Sequence, residues 1–360
     1  MHLTSLATTC IVLGGLALAA YAESASLIKV PVSTQDGLLT GQFDVGNAKK
    51  LTLSIATQID VNFINPGSYD KSELSADLGP SPYAINTTFG KHCISMDIAS
   101  EVKLTTMALP VVKVENVMCD YISPETSDAA PATPFPHDGV LGIAGPSPEG
   151  TFISMLYAVD QSLQHRYGLA LGTTGTGSLI LGGFDKDIAG DMQTARYTSP
   201  QAYWSLKGEV SSHNGTQTHT FEDQDLLISA ENFNVVGPME QVRTILNSIN
   251  GSKVVEVQED CGILLSATYP CDTILPEFGF AFWPATASAS VDDVWHIHED
   301  VWRESDTNNI CTAPIVGLDN LADNTWLLGQ AFLRGKYVDF NVEDAAVTFA
   351  KYNDPHGAPG

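Results

Sequence analysis

The sequence predicts an all-β protein made of two similar lobes with a few short helices. Short apolar runs with strand-like alternation, separated by Gly, Pro and Asn turn residues, fill most of the chain. The order of patterns also repeats. In each half a β-type run, Leu51–Gln58 or Leu226–Glu231, is followed by an apolar-apolar-Gly signature, at 138–144 or 326–330. A repeat of this kind favours two lobes over one barrel.

The first half is predicted to consist of strands with one helix. Apolar alternation predicts strands in four stretches, which are Leu27–Val45, Tyr83–Met96, Val102–Val117 and Gly175–Phe184. The turn residues Gln35–Gly37 split the first stretch into a hairpin. The Pro- and Ala-rich segment Ser123–Pro136 indicates a surface loop, and the apolar spacing of Thr151–Tyr167 indicates a helix.

The second half starts near Trp204 and repeats this order. Pro238–Ile249 predicts a short helix with a proline near its first turn. Lys336–Lys351 predicts a C-terminal run of strands. The chain is therefore divided into a leader at 1–22, an N-terminal lobe at 23–198, a C-terminal lobe at 199–350 and a tail at 351–360.

The leader is predicted to be a signal peptide. The first 22 residues contain no Asp, Glu, Lys or Arg, and Ile11–Ala20 is apolar. Ala20 and Ala22 supply small residues at the two positions that a signal peptidase reads, so we expect a secreted, extracellular protein. No other apolar run approaches the about 20 residues that span a bilayer, and no membrane partner is expected.

The net charge is strongly negative, at −25 with 17 basic and 42 acidic residues. Such a surface repels nucleic acid and anionic membranes, so neither is an expected partner. The charge favours solubility, or equally an acidic environment in which part of it is protonated. We expect a monomer.

Five short motifs follow one another in a defined order. They are DGVLGIA (138–144), GSLILGGFD (177–185), YW (203–204), VGP (236–238) and WLLGQAFL (326–333). Together they resemble the pepsin-like aspartic proteases (peptidase A1) over almost the whole mature chain. The resemblance implies a two-lobed all-β fold in which each lobe contributes one Asp-Thr/Ser-Gly triplet to a cleft between the lobes. Gln330 stands where that family usually has Asp.

Neither triplet has the sequence that this resemblance calls for. The register of the motifs places Ala56-Thr57-Gln58 and Ser229-Ala230-Glu231 at the two positions. Aspartic proteases need two carboxylates that share one proton, because one activates water and the other donates to the substrate carbonyl. Ala56 and Ser229 carry no carboxyl group, so the resemblance implies an inactive member. The residues expected in the cleft are Thr57, Gln58, Ala230, Glu231 and Phe89, the last at the tip of a hairpin flap.

The preferred function is thus non-catalytic binding of a peptide, protein or glycan in the cleft, or a decoy or inhibitor-like role. Two alternatives stay open. One is an aspartic-type endopeptidase that uses another carboxylate, such as Glu231 facing Gln58 across the cleft, or Asp60. The other is a structural or storage role.

Six cysteines become five when Cys10 leaves with the leader, which predicts two bridges and one remaining thiol. We favour the pairs Cys93–Cys119 and Cys271–Cys311, the second of which resembles a bridge in the C-terminal lobe of the pepsin family. Cys261–Cys271 is the main competing pair. Three sequons predict N-glycosylation, at Asn86, Asn214 and Asn250.

Trp295–Glu299 contains a histidine pair, His296 and His298, on one face of a predicted strand. Two histidines without a third ligand at a recognised spacing favour surface polar residues over a metal site. No metal and no cofactor are predicted.

Overall fold

The computed structural model describes most of the chain after the predicted leader, which lies outside it. The described residues are 27–65, 67–68, 76–80, 85–89, 92–96, 100–108, 113–122, 135–145, 152–196, 204–259, 262–283, 294–304 and 308–353. Strands dominate these ranges and the helices are short, as the sequence predicts. None of the helices in these ranges has the length and apolar character needed to cross a bilayer.

Among its described residues, the first half contains strands and one short helix. The elements are β1 (Ile28–Gln35), β2 (Leu38–Val45), β3 (Ala48–Ala56), β4 (Asn62–Ile64), β5 (Ala76–Pro80), β6 (Ile85–Phe89), β7 (His92–Met96), β8 (Ser100–Ala108), β9 (Lys113–Ile122), β10 (Gly139–Gly142), α1 (Phe152–Val159), β11 (Arg166–Leu171), β12 (Thr176–Leu181) and β13 (Ala189–Arg196).

The second half contains the remaining strands and three helices among its described residues. The elements are β14 (Ser205–His213), β15 (Thr218–Ile228), β16 (Val235–Pro238), α2 (Met239–Asn247), β17 (Lys253–Glu259), β18 (Gly262–Pro270), β19 (Glu277–Phe282), β20 (Val294–His296), α3 (Glu299–Trp302), β21 (Ile310–Thr312), β22 (Ile315–Leu318), β23 (Thr325–Leu328), α4 (Gln330–Leu333), β24 (Lys336–Asn341) and β25 (Ala346–Tyr352).

Two large sheets form the two lobes. The first has the strand order β13-β25-β24-β11-β12-β1-β2-β3-β10-β4-β9-β8-β5. The second has the order β17-β18-β22-β16-β23-β15-β14-β19-β20, and β21 pairs with β18. The strands β6 and β7 form a separate hairpin. The predicted all-β, two-lobed fold is confirmed.

The same four-strand arrangement occurs in both sheets. In the first, β3 runs parallel to β10, which is antiparallel to β4, which is parallel to β9. In the second, β15 runs parallel to β23, which is antiparallel to β16, which is parallel to β22. The repeated order read from the sequence therefore corresponds to a repeated strand pairing. The ends of β3 and β15 occupy equivalent places in it.

The last two strands return to the first sheet. β24 pairs with β11, and β25 pairs with β13 and β24. Residues 336–350 thus belong to the predicted C-terminal lobe, yet β24 and β25 form hydrogen bonds with strands of the N-terminal lobe. The division at residues 198 and 350 stays a prediction, and this pairing is the physical link that it does not anticipate.

Local signals explain several element ends. Asp36 and Gly37 both have positive φ, at 51° and 79°, which is the conformation of a tight turn joining β1 to β2. In α2, Pro238 occupies the N-cap position and the helix buries Val242, Ile245 and Leu246. The predicted helix over Thr151–Tyr167 is shorter than its apolar pattern, since it ends at Val159 and β11 begins at Arg166.

Aromatic residues join the two halves in one core. The indole Nε1 of Trp204, at the start of the second half, donates to the hydroxyl of Tyr167 at 2.5 Å. The Tyr167 ring stacks on Phe340 with centroids 4.9 Å apart. Phe282 of the second sheet stacks on Phe349 of the first at 4.3 Å. These buried contacts hold the lobes against each other.

Candidate functional site

The two triplets, at 56–58 and 229–231, each begin where a strand ends beside the strand of a glycine signature. Ala56 closes β3 and pairs with Gly142 of β10. Ser229 directly follows β15, whose last residue pairs with Leu328, and its N–H donates to the Leu328 carbonyl at 3.1 Å. Ala56 is fully buried and Ser229 is 1% exposed. The two positions are therefore equivalent in the repeated pairing.

The glycines of the two signatures are required by close backbone approach. A Cβ on Gly142 would collide with the carbonyl oxygen of Val61. A Cβ on Gly329 would collide with the carbonyl oxygen of Asn234. In each lobe the chain after the triplet folds back over the signature, so that the signature strand, β10 or β23, lies between the strand before the triplet and the strand after it.

Thr57 connects the two triplets. Its hydroxyl donates to the carbonyl of Ile228 at 2.7 Å and accepts from the N–H of Ala230 at 3.0 Å. Ile228 and Ala230 flank Ser229, so the two triplets lie against each other across the lobes. All of these atoms are buried, which makes each bond costly to lose.

Glu231 completes this contact from the other lobe. The N–H of Thr57 donates to its Oε2 at 3.1 Å, and the Thr57 hydroxyl lies 3.4 Å from the same oxygen. Ala230, at the position equivalent to Thr57, has no hydroxyl to offer. The carboxyl group of the next residue takes over the acceptor role. We call Thr57, Ile228, Ala230 and Glu231 the inter-lobe brace.

Burial raises the pKa of Glu231 from its usual 4.5 to about 7, and hydrogen bonds from Thr57 and Ser229 limit the rise. The side chain is 2% exposed. The single hydroxyl hydrogen of Thr57 serves the Ile228 carbonyl better than the more distant Glu231. The donors around Glu231 favour its ionised form, whereas burial favours the neutral form, and burial has the larger effect.

Gln58 and Asn232 add further contacts at the triplets. The amide Nε2 of Gln58 donates to the Ile228 carbonyl, which therefore receives two donors. The Oε1 of Gln58 is buried and has no hydrogen-bond partner among the described residues. The Nδ2 of Asn232 donates to the Ser229 hydroxyl at 2.6 Å. Ser229 is held by an amide on one side and by Glu231 on the other.

Gln330 ties the brace to the N-terminal hairpin. Its Nε2 donates to the carbonyls of Ala230 at 3.0 Å and Gly37 at 3.1 Å, and its Oε1 accepts from the Thr34 hydroxyl at 2.8 Å. The residue is fully buried. Sequence reasoning noted its unusual identity but not this role. A polar residue inside an apolar motif was the available signal, as buried amides are kept only where they are hydrogen-bonded.

The match to a protein family agrees with this architecture. A family model described as eukaryotic aspartyl protease matches residues 29–352. The chain belongs to the eukaryotic aspartyl protease family. Pepsin-like aspartyl proteases have a substrate-binding cleft between two lobes, and the brace joins the lobes of this member.

Two curated relatives are similar to this chain over part of their length. An "Aspartic protease" of Phaffia rhodozyma is 24% identical over 230 residues, which cover 63% of this chain and 54% of the relative. A "Cathepsin D" of Clupea harengus is 26% identical over 228 residues, which cover 59% and 54%. The chain thus spans about half the length of the relatives that it matches.

Other predicted site residues of this family member lie apart from the brace. Phe89 ends β6 and its backbone pairs with His92 across the β6–β7 hairpin, while its side chain lies outside the described part. Asp60 is half-buried, four residues beyond Ala56. Within the described part of the chain, Glu231 accepts from Thr57 and not from Asp60 or its neighbours.

The structure describes the side chains of some of the residues predicted for disulfides and N-glycosylation. Cys271 and Cys311 form a disulfide with a Cα–Cα distance of 5.0 Å. The side chains of Cys93, Cys119 and Asn86, and the whole of Cys261, lie outside the described part. Asn214 occupies a turn, where its Oδ1 accepts from Thr216 and Gln217, and Asn250 is exposed. Glycosylation stays a prediction.

The histidine pair has structural partners. The Nδ1 of His296 lies 3.0 Å from the Phe278 carbonyl, and the Nδ1 of His298 accepts from the N–H of Asp300 at the start of α3. Within the described residues no group of three or more His, Cys, Asp or Glu is placed to hold a metal ion.

Two other buried ionisable residues, Asp339 and Lys336, lie away from the triplets. Asp339 accepts from Arg166, which lies beside it, and burial raises the pKa of Asp339 to about 6. Lys336 donates to the carbonyls of His296 at 2.8 Å and Phe332 at 2.7 Å, and burial lowers its pKa to about 7. Both residues lie on β24, where the chain returns to the first sheet.

Proposed function

We propose that this member of the eukaryotic aspartyl protease family is a secreted, glycosylated pseudo-protease. It binds a peptide, protein or glycan in the cleft between its lobes and does not cleave it. A decoy or inhibitor-like role, in which the cleft or its surrounding loops hold another molecule, follows from the same chemistry.

The observation that carries this proposal is that Glu231 is buried and hydrogen-bonded to Thr57 of the other lobe. Aspartic proteolysis requires two carboxylates that share one proton and face one water molecule. Ala56 and Ser229 provide none, and Glu231 is buried within the inter-lobe brace. A carboxyl group bonded to the Thr57 N–H and to Ser229 is committed to holding the lobes together. The triplets then serve as a floor for a cleft and not as a catalytic pair.

Several observations support secretion and glycosylation. Asn214 and Asn250 lie at turns of the second lobe, and the Cys271–Cys311 disulfide suits an oxidising compartment. The apolar leader read from the sequence points the same way. Expression with the leader in a secretory host, followed by mass spectrometry of the medium, tests both parts. Retention of an uncleaved, unmodified chain inside the cell would contradict them.

The proposed absence of proteolysis is tested by incubating the purified chain with a denatured protein substrate at acid pH, with and without pepstatin. We expect no pepstatin-sensitive cleavage from the purified chain. Pepstatin-sensitive products formed in proportion to the chain's concentration would overturn the proposal. Binding of labelled peptides and glycans by the same preparation, measured by fluorescence anisotropy, then identifies the class of ligand.

One specific observation favours an alternative, which is an endopeptidase acting through Glu231. A carboxyl group with a pKa near 7, in contact with two hydroxyl-bearing residues, resembles a tuned acid. Glu231→Gln separates the readings, with Glu222→Gln as the matched control because Glu222 is an exposed carboxylate of β15. Cleavage by the parent that is lost in the first variant and kept in the second would establish the alternative.

A further inference from the structure

β17 forms an exposed edge of the second sheet. It is the terminal strand of the second sheet. Among the described residues it pairs with β18 on one side and with no strand on the other. Its sequence is KVVEVQE, and the strand is exposed along most of its length. A free edge of this kind offers a row of backbone N–H and C=O groups to another strand.

The two faces of β17 differ in their partners. Alternate residues share a face, so Lys253, Val255, Val257 and Glu259 lie on one side. On this side Val255 is 48% exposed and Val257 is 42% exposed. On the other side Val254 packs against the core and Glu256 accepts from Arg243 of α2 at 2.6 Å. The first face is therefore apolar at its centre and oppositely charged at its two ends.

We infer that β17 pairs antiparallel with β17 of a second copy of the chain, with Glu256 at the two-fold axis. In this register Lys253 of one copy lies opposite Glu259 of the other, and Val255 lies opposite Val257. Both kinds of pair occur twice, all on the exposed face. Directly opposed residues of antiparallel strands interact, so the ends attract and the valines cover each other.

Other registers lack this match. With Val255 at the two-fold axis, Lys253 lies opposite Val257. With Val257 at the axis, Glu259 lies opposite Val255, so in both registers the pair of opposite charges is lost. A shift by one residue puts the valines of the two copies on opposite faces of the joined sheet. Glu256 meets its own copy in the proposed register, and the Arg243 guanidinium bonded to each carboxylate offsets this repulsion.

Self-pairing of one edge gives a closed dimer, because each copy uses the edge that the other needs. The net charge of −25 opposes association, and screening by salt reduces that opposition. A dimer of moderate affinity at about 0.15 M salt follows, where the Debye length is about 8 Å. This differs from the monomer expected from sequence, where no pattern showed that the strand lies at an edge.

Sedimentation velocity over a range of protein concentrations tests the inference. The full chain is first treated with an N-glycosidase, because a glycan on Asn250 would stand beside the start of β17. We expect a reversible dimer for the parent chain. Lys253→Glu and Glu259→Lys are each expected to weaken association about 10-fold or more, because two attractive pairs become repulsive. The double variant is expected to restore it.

These variants also separate pairing from net charge. Lys253→Glu makes the chain more negative and Glu259→Lys makes it less negative, so a net-charge effect would move association in opposite directions. Pairing predicts that both single variants weaken it. Lys49→Glu, at a side chain that is 72% exposed on the first lobe, is the control and should leave edge pairing intact. A monomeric parent at all concentrations, or a double variant that does not recover, overturns the inference.

Discussion

Replacement of Glu231 by Gln should remove a defined part of the pH dependence of stability. The pKa of this carboxyl group is 4.5 when exposed and about 7 in the folded chain, because burial disfavours its charged form. Its contribution to stability is fully present below pH 4.5 and is lost as the pH rises through 7. At 1.36 kcal/mol per pH unit, the loss amounts to about 3 kcal/mol.

The assay is urea unfolding followed by tryptophan fluorescence at several values between pH 4.5 and 8. The free energy of unfolding of the parent should fall relative to that of Glu231→Gln by about 3 kcal/mol over this range. Glu222→Gln, at an exposed position, should run parallel to the parent. Taking the difference between chains cancels the contribution of Asp339. A difference that stays constant with pH would show that the carboxyl group is not held neutral in the brace.

Three further changes test other contacts. Thr57→Val leaves the buried N–H of Ala230 without its acceptor, and should lower the free energy of unfolding by about 2–3 kcal/mol in the same assay, more than a valine at an exposed threonine. Lys336→Met removes a buried amine whose pKa is lowered to about 7, so the parent loses stability as the pH falls from 10.5 through 7. The variant should therefore gain about 3 kcal/mol relative to the parent between pH 9.5 and 6, and an unchanged difference would refute this. Replacing Cys271 and Cys311 by Ser opens a loop of 40 residues and should cost about 4 kcal/mol, read as a lower urea midpoint that reduction of the parent reproduces.

The all-β class and the repeated strand pattern of the two halves were accessible from sequence because they depend on local periodicity. The apolar runs ending at Ala56 and Ser229 and the glycines at 142 and 329 each reflect a buried strand or a close backbone approach. Such features constrain the residue type at the position itself. They can be read one position at a time.

The brace was not accessible in this way. The sequence suggested that Glu231 faces Gln58 across a cleft, whereas Glu231 accepts from Thr57 and Gln58 donates to Ile228. Which acceptor a buried donor chooses depends on distances of a few tenths of an ångström between segments far apart in sequence. The return of β24 to the first sheet was missed for the same reason, since strand pairing between lobes leaves no local pattern.

Because of the brace, the residues tolerated in one half of the chain depend on the residues present in the other half. A substitution at residue 57 in one half is felt at residues 230 and 231 in the other, so neither half can drift alone. The brace also limits which residues the two triplets can accept. Aspartates introduced at 56 and 229 would place two further carboxylates beside Glu231, and three acids in one buried space repel one another as they ionise. Such a pair would therefore require a change at Glu231, at the expense of the contact that holds the lobes together.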